Sequence, residues 1–174
     1  MALGRLIVGK NTSGGGTKMN RTSDSISVSR CDAAEAAAVA PLFDQYRIFY
    51  GQPSDVEGAH QFLQERLVRG ESILFAAAAE GVPIGFAQLY PVFSSVSMRR
   101  VFILNDLYVH AEWRGRGAAK LLLQAVRDCA AAGEARSVQL STAAGNAAAR
   151  SLYEQAGYEL DTVFLTYELL LEKA

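Results

Sequence analysis

The part of the chain that most constrains its fold lies between residues 99 and 143. "RRVFILNDLYV" is rich in β-branched and aromatic residues and reads as a long strand, and "WRGRGAAK" is a turn of small and cationic residues. "AAKLLLQAVRDCAAAG" then repeats apolar residues at helical spacing, and "RSVQLSTA" reads as strand again. A strand, a helix and a strand in this order form a crossover unit whose two strands lie parallel and adjacent, with a right-handed connection. The helix, predicted over residues 115–132 with Leu122, Val126 and Cys129 inward, is thereby committed to one face of a sheet. The turn before it falls at the carboxyl end of a strand, where ligands of such sheets collect.

Elements of both kinds flank this unit. "SISVSRC" alternates as a first strand, and Asp32 with Glu35 has the spacing of a capping box ahead of a helix that runs to Gly51. Pro41 is expected to kink or restart that helix. "SDVEGAHQFLQERLVRG" is a second helix, opened by Ser54 or Asp55 and closed by Gly70. "ESILFAAAAEGVPIGFAQLYPVF" is two strands around an "EGVP" turn, which with the next strand makes an antiparallel meander. After the crossover, Asn146 caps a short helix that Gly157 ends, and "VFLTYELLL" reads as a last strand. The expected class is α/β, with a mixed, largely antiparallel central sheet of about six or seven strands and helices on both faces.

Half of the 174 residues are apolar, enough for one core, so residues 25–174 are read as a single domain. Residues 1–24 contain "NTSGGGTKMNR", too polar to offset its ordering entropy, and are read as a flexible tail in which Met19 is an alternative start. A net charge of -1 supplies no field for nucleic acid or a membrane surface, so any anion must be held by a local site. No apolar run approaches the roughly 20 residues that cross a bilayer. Cys31 and Cys129 lack C-x-x-C spacing and are read as core residues, giving neither a disulfide framework nor a metal site. A reducing, cytoplasmic setting is expected.

Three anion-binding patterns compete for the glycine turn. A triphosphate loop needs Gly-Lys followed by Ser or Thr, whereas Ala118 follows Gly117. A dinucleotide fingerprint needs Gly or Ala where Lys120 stands, in the first strand-helix unit. What remains is Arg-x-x-Gly-x-Ala, carried by Arg114, Gly117 and Ala119 at a helix N-terminus, where backbone N–H groups and the helix dipole favour a negative ligand.

With that pattern in "NDLYVHAEWRGRGAAKLLL", a second signature in "NAAARSLYEQAGY", and the order of elements from residue 25 onward, the chain resembles the Gcn5-related N-acetyltransferases. These move an acyl group from acyl-coenzyme A to an amine, without a metal. The resemblance implies the acyl-CoA N-acyltransferase fold and acetyl-coenzyme A as cosubstrate. It implies that the backbone of Arg114, Gly115, Arg116, Gly117, Ala118 and Ala119 clasps the diphosphate, and that Asn146 both caps its helix and contacts the cosubstrate. It also implies that Leu107, Tyr108 and Val109 splay from "SVQLST", leaving backbone for the pantetheine arm and an N–H near Val109 for the developing oxyanion. Tyr153 is the implied general acid for the leaving thiolate. Direct transfer in a ternary complex is expected, because Cys129 lies on the core face of its helix.

An alkyl amine with a pKa of about 10.4 must lose a proton before it attacks. The region from Gly85 to Val109 most resembles diamine acetyltransferases, in which a Glu-Asp pair precedes the apolar strand end; here the pair is Asn105 and Asp106, and Asn takes no proton at neutral pH. Asp106 has two readings, an amine- or water-binding carboxylate and a structural acceptor. Tyr46, Phe49 and Tyr50, near Asp44 and Asp55, suit either the wall of a cation pocket or a core stripe. The expected partner is a small-molecule or peptide amine, with a homodimer formed through the apolar last strand. The competing reading is a non-catalytic acyl-coenzyme A sensor, which the missing Glu favours and Tyr153 opposes.

Overall fold

A computed structural model describes residues 25–171 of the chain, so the tail expected over 1–24 lies outside the described residues. The elements are β1 (Ile26–Cys31), α1 (Ala36–Phe49), α2 (Val56–Val68), β2 (Ile73–Ala79), β3 (Val82–Ser94), β4 (Arg99–Val109), a 3₁₀ turn (Ala111–Trp113), α3 (Ala118–Ala132), β5 (Ser137–Gln139) and α4 (Ala147–Gln155). They form one sheet in the order β1-β2-β3-β4-β5, antiparallel except where β5 joins β4 in parallel across the expected crossover.

Local chemistry explains most of the boundaries. Ahead of α1 the Asp32 amide donates to Glu35 Oε2 at 2.9 Å and the Glu35 amide donates to Asp32 Oδ1 at 3.1 Å, the reciprocal pair expected from the spacing. Asp55 opens α2 by accepting from the Gly58 amide at 2.8 Å. The helix does not restart at Pro41: α1 runs through it. The helix is fixed from both sides of the proline by buried Val39, Ala40, Leu42 and Phe43, so packing outweighs one lost backbone hydrogen bond.

Helices cover both faces of the sheet. On one face Phe102, Leu104, Leu107 and Val109 of β4 pack with Leu122 and Val126 of α3 and Tyr153 of α4. On the other, Tyr108 and Phe86 pack with Phe43 and Tyr46 of α1 and Leu63 of α2. Cys31 is buried, its thiol pushed up to about 11 by burial first, and Cys129 is half-buried against the α3 core.

Five strands replace the expected six or seven. "VFLTYELLL" forms no strand and is exposed along its length, while "RSVQLSTA" contributes only Ser137–Gln139 to the ladder. A strand requires a partner edge, and β5 is too short to offer one along nine residues.

One irregularity positions the site. Gln88 pairs with Asp106 and Leu89 with Leu104, so Asn105 is an extra residue in β4. Side-chain parity resets there: Phe102 and Leu104 face α3 before it, Leu107 and Val109 face α3 after it, and Asp106 and Tyr108 turn toward α1. Gly85 of β3 lies opposite Val109, and a Cβ there would come 2.7 Å from the Tyr108 carbonyl oxygen. Gly85→Ala must push the end of β4 aside. Its expected cost is about 1–3 kcal/mol in denaturant unfolding, with loss of transfer activity beyond what the unfolded fraction explains.

Candidate active site

Past Ile103, β4 loses its neighbour on one side. Its ladder to β5 covers Val101, Phe102 and Ile103 only, whereas its ladder to β3 continues to Val109. Residues 104–109 therefore present one edge with no strand partner, and Leu107, Tyr108 and Val109 lie on it as the sequence implied. In the stretch after β5, Thr142 Oγ1 is buried without a hydrogen-bond partner, an unmet polar group of the kind a ligand satisfies.

The glycine turn follows directly. Gly115 and Gly117 have φ of 76° and 93°, which place the chain in the left-handed region before α3 begins at Ala118, three residues later than expected. Gly117 occupies the capping position and offers no side chain, so no side-chain cap covers the first-turn amides of α3. Arg116 and Gly117 are exposed, Ala119 is half-buried and Ala118 is buried. These are the groups that the resemblance assigns to a diphosphate, and an uncapped, solvent-facing helix start suits one. The two arginine side chains are engaged elsewhere: Arg116 lies over Trp113 at 4.7 Å, and Arg114 Nε donates to the Val109 carbonyl at 3.0 Å. Asn146 caps α4 by accepting from the Ala149 amide at 3.2 Å.

Asp106 is 5% exposed, and its carboxyl is pushed up to about 6 by burial, against the opposing effect of hydrogen bonds from Asn105 Nδ2 at 3.1 Å and from Tyr46. Of the three aromatics named from the sequence, Tyr46 reaches this carboxyl and is itself part of the α1 core, Tyr50 packs against Tyr46, and Phe49 is exposed. Tyr46 meets Tyr50 edge-on at 5.0 Å and Tyr108 at 6.3 Å between centroids. Tyr153 is buried at 5% exposure beside Tyr158. Its phenol is held well above the ordinary tyrosine value by burial first, then by Tyr158 and Tyr50. That influence places Tyr50 within electrostatic reach of Tyr153, and so links the α1 wall to α4. A phenol that stays protonated is a proton donor. No group among the described residues hydrogen-bonds its hydroxyl.

Two acids near that wall have other duties. Asp44 accepts from the Asp55 amide and Ser54 Oγ, both at 2.7 Å, and pairs with Arg47 at 3.4 Å, which holds its carboxyl below the usual range. Asp55 caps α2. Asp44 and Asp55 brace the α1–α2 connection, leaving Asp106 as the candidate carboxylate among the three. Sequence reasoning missed Gln45, Gly85 and Thr142; the lone glycine in a strand interior was the available signal for the second, and the other two carry none. Among the described residues no three His, Cys, Asp or Glu stand together as a metal site, and no helix is long and apolar enough to cross a membrane.

Residues 39–158 match the model of the Acetyltransferase (GNAT) family. The chain belongs to this family. It is 50% identical over 142 residues to the protein named "Uncharacterized N-acetyltransferase YhfO" of Bacillus subtilis, covering 82% of this chain and 95% of that one. The crystal structure of a probable acetyltransferase superposes with a TM-score of 0.79 at 38% identity, covering 85% of this chain and 99% of that chain. A predicted acetyltransferase from Clostridium acetobutylicum, solved with acetyl-CoA, shares the fold alone, with a TM-score of 0.68 at 14% identity over 83% of this chain and 96% of that one. This GNAT protein is an N-acetyltransferase.

Proposed function

We propose that the protein transfers the acetyl group of acetyl-coenzyme A directly to a primary amine of a small molecule or peptide, with both substrates held at once. The observation that carries this reading is the buried Asp106, set beside the unpaired edge of β4 and walled by Tyr46 and Tyr50. The first-turn amides of α3 hold the diphosphate, and the edge at Leu107, Tyr108 and Val109 aligns the pantetheine arm, with Asn146 contacting it. Ionised above about pH 6, Asp106 attracts the amine between the tyrosine rings and takes its proton, directly or through one water. The amine nitrogen then bonds to the thioester carbonyl carbon. An N–H near Val109 supports the developing oxyanion, the carbon–sulfur bond breaks, the Tyr153 hydroxyl gives its proton to the thiolate, and the surplus proton on the new amide nitrogen passes through water to restore the tyrosine. Asn105 stands where diamine acetyltransferases carry Glu, a departure that counts against a diamine as the acceptor.

Thiol release from acetyl-coenzyme A across a panel of amines tests the reading. Amine-dependent release is expected; coenzyme A binding with no turnover for any amine would instead support a sensor.

The reading extends to assembly. Val163, Phe164, Leu165, Tyr167, Leu169, Leu170 and Leu171 are each at least 78% exposed, more apolar surface than a lone soluble chain ordinarily leaves in one place. Packed against the same segment of a second copy, it covers that surface and makes a homodimer. Light scattering is expected to give the mass of two chains for the wild type and of one for Leu165→Asp/Leu169→Asp; a monomeric wild type contradicts the pairing.

A further inference from the structure

We propose that Arg114 serves the transfer as a positioning residue: it anchors the end of β4 through the Val109 carbonyl and the Tyr108 ring and is not a counter-charge for the diphosphate. This assignment, which rests on the acetyl-coenzyme A reading, follows from where the side chain is spent. Arg114 is half-buried, its Nε donates to Val109 O at 3.0 Å, and its guanidinium carbon lies 5.8 Å from the Tyr108 ring centroid. The Tyr108 hydroxyl in turn donates to Gln45 Oε1 of α1 at 3.1 Å. The anchored segment is the one that needs it, because residues 104–109 are tied to β3 alone. Arg114 thus joins the glycine turn to the strand end that aligns the thioester, and through Tyr108 to the helix that walls the amine.

A guanidinium can donate in its plane and lie over a ring at the same time, and an ammonium on a flexible stem cannot hold both contacts. Lysine keeps the charge and loses the geometry, which separates the two roles. In Arg114→Lys and Arg114→Met alike, kcat is expected to fall roughly ten- to a hundredfold, the range for a misplaced reacting group, while the calorimetric Kd for coenzyme A changes less than about threefold. Near wild-type behaviour of Arg114→Lys, with Arg114→Met impaired chiefly in coenzyme A affinity, would establish the counter-charge and overturn the proposal. Wild-type kcat in both variants overturns it equally. Circular dichroism reports whether each variant is folded. If the Arg114 variants do not fold, Gln45→Ala on the exposed surface of α1 carries the test: lower kcat at unchanged Kd is expected, and unchanged kcat overturns the link. Failure of the underlying reading shows separately, as a wild-type protein that binds no coenzyme A.

Discussion

Replacing Tyr153 with Phe is expected to lower kcat about a hundredfold or more while leaving both folding and coenzyme A affinity nearly unchanged. The separation follows from the position of the hydroxyl. The ring of Tyr153 fills the α3–α4 core beside Tyr158, and Phe fills the same space. The hydroxyl donates to no protein group among the described residues, so its removal strands no partner, and unfolding is expected to move by less than about 0.5 kcal/mol. Chemistry bears the loss, because the departing thiolate must then take a proton from water, and a positioned acid contributes about 10²–10⁴-fold. Thiol-release kinetics beside calorimetry with coenzyme A measure both halves. A Tyr153→Phe enzyme with wild-type kcat removes the tyrosine from the mechanism; one that no longer binds coenzyme A makes it a binding residue.

Asp106→Asn is expected to give a more stable and far less active protein. Burial raises the Asp106 carboxyl from 3.8 to about 6. Between those values the folded chain holds more protons than the unfolded one, so stability falls as pH rises through the interval, and the full penalty is present above about pH 6. For a carboxyl this buried the gap corresponds to about 3 kcal/mol. Asn keeps an oxygen for the Tyr46 hydroxyl and carries no charge, so the variant should gain about 2–3 kcal/mol over wild type at pH 7.5 and show no gain near pH 3, where both states of the wild type are protonated. Activity should move oppositely: kcat/KM of the wild type falls as pH drops below about 6, and the variant loses that limb together with roughly a hundredfold in rate. Denaturant unfolding at the two pH values and a pH–rate profile decide it. Equal stability at both pH values would show that Asp106 carries no burial penalty.

What the chain discloses in advance is what depends on near neighbours. The Asp32–Glu35 box, the Asp55 and Asn146 caps and the turn between Ala79 and Val82 all follow from residues two to four apart, and the parallel β4–β5 pair follows from the length of the helix between them. Tyr46, Tyr50 and Asp106 were also named, and Tyr46 lies against both of the others. The remainder depends on distant partners. An alternation of residues shows an acid but not its donors, which is why Asp44 looked available for a cation although Ser54 and the Asp55 amide already occupy it. The apolar content of "VFLTYELLL" shows a wish to pair without showing with what. The Arg114 to Gln45 link joins residues that only the folded sheet brings near each other.

The extra residue at Asn105 marks the one point at which β4 can change in length and still keep its faces. Deleting it would return the strand to plain alternation with every later side chain on its present face, Asp106 and Tyr108 toward α1 and Leu107 and Val109 in the oily space under α3; what would go is the local kink and the Asn105 Nδ2 donor to Asp106. One residue of slack bends the tip of this ribbon and gives its carboxylate a neighbour to hold; it does not choose which side is greasy.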